Sequence, residues 1–304
     1  QGDPGQIRPP RLHHRRVEGG VKPGRLAVKA GKLGRRPGAG KGGDGGIVLV
    51  SVRDQIKPAA IGPDMPCQQG LWQKGDVIIQ DRLCHASLID AARLTDARLS
   101  RYAHADMAAL KRRLAEAGDG KKLVVSDGIF SMDGDTPNLE ELVQLCNKNN
   151  CFLVVDEAHA LGVFGDHGEG LVQMLGLQDD VFARIMTFGK GLGCHGAAIL
   201  GSQKLFDYLV NFARSFIYTT GLSPHSVATI LVAYQHLQTE KEALQKLREN
   251  VIHFNQEKKQ LGLNPLFVRS KSAIQSAAAQ GSVPCWRHWW RVRRRRPKNH
   301  CVAP

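Results

Sequence analysis

Short apolar runs alternate with helical segments through the middle of the chain, and this alternation constrains the fold more than any other feature. Strands are predicted at 77–79, 122–125, 152–156, 185–187 and 197–200. Strands separated by helices require right-handed crossovers, so the pattern predicts an α/β domain with a mainly parallel sheet. Ligands bind beyond the carboxyl ends of the strands in such sheets, and the polar motifs of this chain follow its strands.

Periodicity and end signals predict the helices. Residues 86–95 have a helical pattern, and Asp106 opens a helix with apolar residues at positions 107, 110 and 114. Thr136 and Pro137 are typical of an N-cap and a first helical position, with two acidic residues in the turn that follows. Residues 244–254 carry the apolar repeat of a long amphipathic helix.

The net charge of +14 belongs to the two ends of the chain. Residues 1–75 hold 14 Lys/Arg against 5 Asp/Glu, and residues 277–304 hold 7 Lys/Arg and no acid. The middle therefore has a net charge of −2. The rival function from another class is nucleic-acid binding through the Arg293–Arg296 run and its neighbouring tryptophans. Arginine-rich tails are usually solvated, so nucleic acid is not expected as a partner.

The ends also differ from the middle in composition. Residues 1–75 contain 16 of the 33 glycines and 8 of the 14 prolines, and only residues 46–52 have a strand pattern. Such a segment buries too little apolar surface to offset its ordering entropy. We expect residues 1–75 not to be natively folded, a large domain at 76–255, the start of a small domain at 256–276 and an aberrant tail at 277–304.

Cysteine usage and hydropathy limit the location of the protein. The seven cysteines form no CxxC pair and no zinc-ligand spacing, which predicts reduced thiols and no bound metal. No run of eighteen apolar residues exists, and no basic-then-apolar leader begins the chain. These features predict a cytoplasmic protein without a membrane partner.

Four short segments carry the candidate chemistry. Asp156 ends an apolar strand and His159 follows three residues later, which favours a helix cap with a hydrogen-bonded histidine over a metal pair. Residues 187–193 (TFGKGLG) lack the P-loop spacing, so Lys190 fits a Schiff-base lysine or an ordinary surface turn. Residues 126–135 (SDGIFSMDGD) and His85 follow two other strands, and each alone is typical of a polar turn or a helix start.

The order of these segments is more specific than any one of them. His85, then SDGIFSMDGD, DEAH at 156–159 and TFGKGLG together resemble the α-oxoamine synthases over about residues 75–275. The resemblance implies a fold-type I pyridoxal-phosphate-dependent transferase, similar to aspartate aminotransferase. It also implies condensation of an amino acid with the acyl thioester of coenzyme A or of an acyl carrier protein, with loss of carbon dioxide.

The resemblance also implies roles for the motif residues. Lys190 would hold pyridoxal 5'-phosphate as a Schiff base and move protons at the substrate Cα. Asp156 would pair with the ring nitrogen, and His159 and Ser131 would hydrogen-bond the phenolic oxygen. His85 would stack on the ring and touch the substrate carboxylate.

The phosphate of the cofactor has its own candidates. Thr187 would bind it directly. Thr219 and Thr220 resemble a segment that reaches the phosphate in the neighbouring subunit, so the resemblance implies a homodimer.

Both ends depart from the family pattern. Residues 1–75 contain neither the substrate arginine nor the glycine-rich phosphate loop of the family. After Gln275, where the family continues into a small α/β domain with a substrate-binding threonine, the chain becomes rich in Trp and Arg. We hypothesise that each end is translated from a shifted reading frame, the alternative being a genuine basic extension. The small domain is therefore expected to be truncated or replaced.

Overall fold

The computed structural model describes residues 71–218 and 220–277, together with the backbone of residues 45–50. The strands of this part of the chain form one seven-stranded sheet. They are β1 Gly45–Val50, β2 Val77–Asp81, β3 Arg98–Tyr102, β4 Lys122–Asp127, β5 Phe152–Asp156, β6 Ala183–Thr187 and β7 Ala197–Ser202. The predictions for most of residues 1–75 and for residues 278–304 lie outside the described residues.

The helices alternate with the strands and then continue beyond them. They are α1 Ala86–Arg93, α2 Met107–Ala115, α3 Leu139–Lys148, α4 Leu171–Met174, α5 Gln203–Phe212, α6 Arg214–Ile217, α7 Pro224–Thr239 and α8 Lys241–Gln260, followed by a 3₁₀ turn at Asn264–Leu266. No helix in the described part of the chain is both long enough and apolar enough to cross a membrane.

The sheet is mainly parallel, as the sequence predicted. Its order is β1-β7-β6-β5-β4-β2-β3. Strands β3, β2, β4, β5 and β6 are parallel neighbours, whereas β7 runs antiparallel to both β6 and β1. The carboxyl ends of the five parallel strands therefore meet at one edge. Because β2 lies between β3 and β4, the direction of strand addition reverses there and leaves a crevice at that edge.

Alternating side chains of the central strands bury the two faces of the sheet. One face packs against α2 and α3, and its strand residues are Val77, Ile79, Val124, Leu153 and Val155. The other face packs against α1 and α5, and its strand residues are Ile78, Leu123, Val125, Val154 and Ile185. A period of two with apolar residues on both faces is the pattern of a sheet covered by helices on each side.

Side-chain caps fix where the helices begin. Asp106 accepts a hydrogen bond from the Ala109 backbone N–H at 2.8 Å, as predicted for the start of α2. The predicted N-cap of α3, Thr136, is wrong, because Asn138 accepts the hydrogen bond from the Glu141 N–H at 3.2 Å. The helix therefore begins at Leu139, two residues beyond Pro137. Asparagine is a stronger N-cap than threonine, and here it moved the boundary.

Candidate active site

Polar residues end four of the parallel strands at the carboxyl edge of the sheet. Asp81 ends β2, Asp127 ends β4, Asp156 ends β5 and Thr187 ends β6. Asp127 and Asp156 lie side by side in register on neighbouring strands. The sequence runs from apolar to polar at the same edge in each strand, so the sheet gathers these groups around one crevice.

Asp156 is the buried carboxylate of this edge. Its Oδ1 accepts a hydrogen bond from the Ala158 backbone N–H at 2.7 Å. Burial raises the pKa of Asp156, and the Ala158 N–H and the charges of Lys190 and His85 oppose that rise. A carboxylate in this setting favours a cationic or protonated partner, because such a partner offsets its desolvation.

Lys190 and His159 are in direct contact. The Lys190 Nζ lies 2.8 Å from His159 Nε2. Burial lowers the pKa of His159 to about 4, and the positive charges of Lys190 and His85 add to that effect. The imidazole is therefore neutral at pH 7. An ammonium group only donates, so Nε2 accepts the hydrogen bond from Lys190.

Two close-packed turns bring this pair together. Lys190 follows β6, and His159 follows β5, its parallel neighbour. A Cβ atom on Gly191 would lie 2.3 Å from the Leu161 carbonyl oxygen. Because only glycine permits that approach, the Gly-Lys-Gly turn can press against the turn that carries His159.

His85 reaches the same crevice from the end of β2. Its backbone N–H donates to Asp127 Oδ2 at 3.0 Å, and its Nδ1 accepts from the Ser87 N–H at 3.3 Å as the N-cap of α1. Partial burial lowers the pKa of His85, the negative charge of Asp156 raises it, and Lys190 lowers it. These mutual effects bring His85, Asp156, Lys190 and His159 into one electrostatic cluster.

Thr187 presents a buried and unsatisfied hydroxyl group. Its Oγ1 is buried and has no hydrogen-bond partner among the described residues. A buried hydroxyl without a partner is costly, and such a group commonly marks a position where a ligand or water binds. The residue predicted to bind phosphate thus has an unused donor.

The remaining predicted site residues are less closely joined to this cluster. Ser131 is half-buried in the turn that follows β4. Thr220 is exposed after α6, and Thr219 lies outside the described residues. Any role of these threonines toward a second subunit stays a prediction.

Sequence reasoning missed a buried ion pair beneath the cluster. Glu157 Oε2 accepts a hydrogen bond from Arg184 Nε at 2.5 Å, and both side chains are almost fully buried. Glu157 Oε1 also accepts from the Val172 N–H, and Arg184 donates to the Glu169 carbonyl oxygen at 2.8 Å. The sequence does contain a sign of this pair, because Arg184 interrupts the apolar strand β6. A buried arginine requires a carboxylate nearby.

Comparison with known proteins identifies the family. The sequence pattern described as Aminotransferase class I and II matches residues 67–272, which is more than half of the chain. The chain belongs to this family. Its fold is that of the fold-type I pyridoxal-phosphate-dependent transferases, which confirms the fold predicted from the sequence. Enzymes of this class use pyridoxal phosphate, so the predicted cofactor is confirmed at the level of the family.

Individual relatives are more specific than the family. An 8-amino-7-oxononanoate synthase of Citrifermentans bemidjiense is 45% identical over 196 residues, which are 64% of this chain and 50% of that protein. The chain thus spans about half the length of the curated relatives it matches.

Solved structures of related enzymes share the fold. The 8-amino-7-oxononanoate synthase of Francisella tularensis superposes with a TM-score of 0.67 at 26% identity, over 82% of this chain and 70% of that one. Serine palmitoyltransferase of Sphingomonas wittichii gives a TM-score of 0.67 at 30% identity, over 76% of this chain and 56% of that one. Two enzymes with different names, a synthase and a palmitoyltransferase, thus share this fold.

Proposed function

We propose that this chain is a pyridoxal-phosphate-dependent acyltransferase of the 8-amino-7-oxononanoate synthase type. The reaction of such an enzyme is a step of biotin biosynthesis. The reaction joins L-alanine to the pimeloyl thioester of coenzyme A or of a carrier protein. The free thiol leaves, carbon dioxide is lost and 8-amino-7-oxononanoate remains. The observation that carries the proposal is the cluster of Lys190, His159, Asp156 and His85 at the carboxyl edge of the sheet.

The choice among related acyltransferases rests on identity and on motif residues. Curated relatives named 8-amino-7-oxononanoate synthase reach 45% identity. Among the solved structures, the synthase is matched over more of both chains (82% and 70%) than serine palmitoyltransferase (76% and 56%), although its identity is 26% against 30%. Residues 272–275 (SAIQ) and 156–159 (DEAH) also resemble that synthase. The alternative, glycine C-acetyltransferase, more often has serine in place of Ala158.

The side chains of the crevice fit pyridoxal phosphate. The ring nitrogen of the cofactor requires a carboxylate partner, and Asp156 is a buried carboxylate whose pKa is raised by that burial. An aldehyde requires a lysine amine, and Lys190 lies within the same electrostatic cluster. A phosphate requires donors, and the Thr187 hydroxyl is buried without a hydrogen-bond partner among the described residues.

Each of these residues has a task in the proposed reaction. Pyridoxal phosphate, when bound, delocalises negative charge from the substrate Cα. Asp156 keeps a proton on the ring nitrogen, since a buried carboxylate strongly favours a cationic partner. Lys190 would hold the cofactor through its amine and would then move the proton at the substrate Cα.

The two histidines orient the reactants. His159 is neutral at pH 7 because its pKa is lowered to about 4, so its imidazole can hydrogen-bond the phenolic oxygen of the cofactor without adding charge. Ser131 shares that role from the turn after β4. His85 would lie against the ring of the cofactor and contact the substrate carboxylate. Burial lowers the pKa of His85, which disfavours its charged form.

The proposal extends to assembly and location. Thr219 and Thr220 are proposed to reach the phosphate bound by a second copy of the chain, as in a homodimer. Thr220 is exposed in the described part of the chain. The proposed location of the enzyme is the cytoplasm, and the described residues include no helix that could cross a membrane.

We further propose that the chain as written binds the cofactor weakly and has negligible synthase turnover. Residues 1–75 lack the phosphate loop of the family, which supplies several charge-assisted hydrogen bonds of about 1.5–3 kcal/mol each. Losing two of them weakens affinity by about a hundredfold or more. Residues 277–304 do not resemble the small domain that contributes to the acyl-thioester site in the family, so we expect poorer positioning of the second substrate.

Titration with pyridoxal phosphate tests the proposal. We expect a visible absorption band to develop in the wild type, with weak affinity, and to be lost in Lys190→Ala. Lys204→Ala, which removes an exposed lysine on α5, is the matched control and should leave the band unchanged. A band that survives Lys190→Ala contradicts the proposed role of Lys190.

The steady-state assay addresses turnover. We expect no measurable condensation of L-alanine with pimeloyl-CoA by the purified 304-residue chain. A rate of about 1 per second or faster, which is typical of enzymes, would overturn the proposal of impaired turnover.

A further inference from the structure

His104 bridges two carboxylates on segments that are distant in sequence. Its Nδ1 lies 3.0 Å from Asp81 Oδ1, and its Nε2 lies 2.8 Å from Asp135 Oδ2. Its ring meets the ring of Phe130 edge-on, with centroids 4.4 Å apart. Asp81 is fully buried at the end of β2 and also accepts from the Ala105 N–H at 2.7 Å. One histidine therefore joins β2 to the turn that follows β4.

The same cluster resembles a metal site, but its hydrogen bonds argue otherwise. Ligand atoms of His104, Asp133 and Asp135 lie within 4.8 Å of one another. Burial lowers the pKa of His104, but hydrogen bonds to Asp135 and Asp81 outweigh burial and raise it to about 10. Both ring nitrogens therefore carry protons and donate to carboxylates. A protonated imidazole offers no lone pair to a cation.

The bridge ends on the loop that carries Ser131. We call residues 128–136 the Ser131 loop. The Phe130 N–H donates to the Asp135 carbonyl oxygen at 3.0 Å, and the Gly134 N–H donates to the Phe130 carbonyl oxygen at 2.8 Å. These bonds close the loop at its base, where His104 contacts both Phe130 and Asp135. A restraint on the base of so short a loop also restrains Ser131.

Two further contacts hold the Ser131 loop from other sides. The Gly128 N–H donates to the Asp156 carbonyl oxygen at 2.7 Å, so the loop begins on the backbone of the buried carboxylate of the cluster. The hydroxyl groups of Ser270 and Ser272 donate to the Gly134 carbonyl oxygen at 2.7 and 2.8 Å. His104 supplies the charged contact of this set.

We propose that His104 is a positioning residue, which fixes the Ser131 loop against Asp156 so that Ser131 faces the cofactor. The inference rests on the proposed function for its cofactor. The positive charge of His104 is essential to this role. Without it, the negative charges of Asp81, Asp133 and Asp135 would lie close together with no cation to offset their repulsion. Burial and the charge of Asp135 raise the pKa of Asp133, and His104 lowers it, as expected for three carboxylates around one cation.

Hydrogen exchange without cofactor, followed by pyridoxal phosphate titration, tests the inference. His104→Phe keeps the ring beside Phe130 and removes both donors and the charge. We expect amides of residues 128–136 to exchange about tenfold faster or more, those of β5 to stay protected, and cofactor affinity to fall about tenfold. His253→Phe, which alters an exposed histidine on α8, is the matched control and should change neither.

A second variant protects the test against misfolding. If His104→Phe does not fold by circular dichroism, Asp135→Ala removes the loop side of the bridge and leaves the pairing with Asp81. It should produce the same loosening and the same loss of affinity.

The outcomes separate the inference from the proposed function. Unchanged exchange of the Ser131 loop in the folded variant overturns the inference, and so does a loosened loop with wild-type cofactor affinity. A wild-type chain that binds no pyridoxal phosphate contradicts the proposed function instead, and the exchange measurement then still decides whether His104 fixes the loop.

Discussion

Two histidines at the carboxyl edge of the sheet have their pKa values shifted in opposite directions. Burial and nearby positive charge lower the pKa of His159 to about 4. His104 is also partly buried, but its hydrogen bonds to Asp135 and Asp81 raise its pKa to about 10. One side chain is neutral and the other is a cation at pH 7. His159 can therefore accept a hydrogen bond from Lys190, whereas His104 supplies a positive charge at the base of the Ser131 loop.

The stability contribution of His104 should depend on pH. Its pKa is higher in the folded chain than the ordinary 6.5, so the folded state binds the proton more tightly. The stabilisation is full below pH 6.5 and is lost as the pH rises toward about 10. We expect the difference in unfolding free energy between wild type and His104→Gln to shrink across that range, measured by urea denaturation. A difference that grows with pH contradicts the assignment.

Thr187 offers a test that separates stability from cofactor binding. Thr187→Val replaces a buried hydroxyl that has no hydrogen-bond partner among the described residues with a methyl group of similar volume. We expect the cofactor-free protein to be as stable as wild type or about 1 kcal/mol more stable, because an unsatisfied polar group is removed. Pyridoxal phosphate affinity should fall about tenfold. A stability loss with unchanged affinity, by thermal melts and titration, would show that the hydroxyl is structural.

Among the elements, those with strong apolar periodicity were predictable from the sequence, whereas the edge strand β3 was not. The start of α2 at Met107 and the strand Phe152–Asp156 lie where the sequence placed them. Strand β3 was missed because Arg98, Ser100 and Arg101 interrupt its apolar pattern. An edge strand has one neighbour and tolerates polar residues, so its pairing with β2 is a tertiary effect. The antiparallel direction of β7 likewise has no local signal.

The turn after β6 should be sensitive at one glycine and tolerant at the other. Gly191→Ala places a Cβ atom 2.3 Å from the Leu161 carbonyl oxygen, which forces the two turns apart. Gly189→Ala meets only ordinary contacts, the nearest at 3.6 Å from Cys194. We expect Gly191→Ala to weaken cofactor binding through displacement of Lys190 and to lower the melting temperature, whereas Gly189→Ala does neither. Equal behaviour of the two variants in titration and melting would contradict the close packing.

The ion pair between Glu157, which follows β5, and Arg184 on β6 should matter more than an exposed surface pair. Arg184→Met leaves the buried Glu157 charge without its partner and should cost about 3–5 kcal/mol of unfolding free energy. The double variant Glu157→Gln/Arg184→Met should cost less, because no charge is left unpaired. Arg93→Met breaks the exposed pair with Asp90 and should change stability by about 1 kcal/mol or less. Chemical denaturation of the three variants checks this order, and equal losses would contradict it.

For the molecule as a whole, the sequence predicted the members of the site better than the contacts that hold them. Asp156 ends a strand, and His85, His159 and Lys190 each follow one. A parallel sheet gathers such positions at one edge. The bridge from His104 to Asp135 spans 31 residues along the chain. No local pattern pairs residues so far apart, since their meeting depends on the order of strands in the sheet.

The composition of the chain changes near residue 75, but the sheet includes a strand from each side of that boundary. The seven-stranded sheet takes six of its strands from the part of the chain after residue 75, and one strand, β1, from the basic N-terminal part. The hypothesis that both ends are translated from a shifted reading frame stays a prediction. The nucleotide sequence around codons 75 and 276 would test it. Reappearance of the missing family motifs in another frame would support shifted ends.

The most direct test of the catalytic assignment is to locate the cofactor on the chain. The protein is incubated with pyridoxal phosphate, reduced with borohydride and digested, and the modified peptides are identified by mass spectrometry. The result we predict is a pyridoxyl group on Lys190, at the turn that contacts His159. Modification spread over exposed lysines such as Lys204 with none on Lys190, or no modification at all, would contradict it.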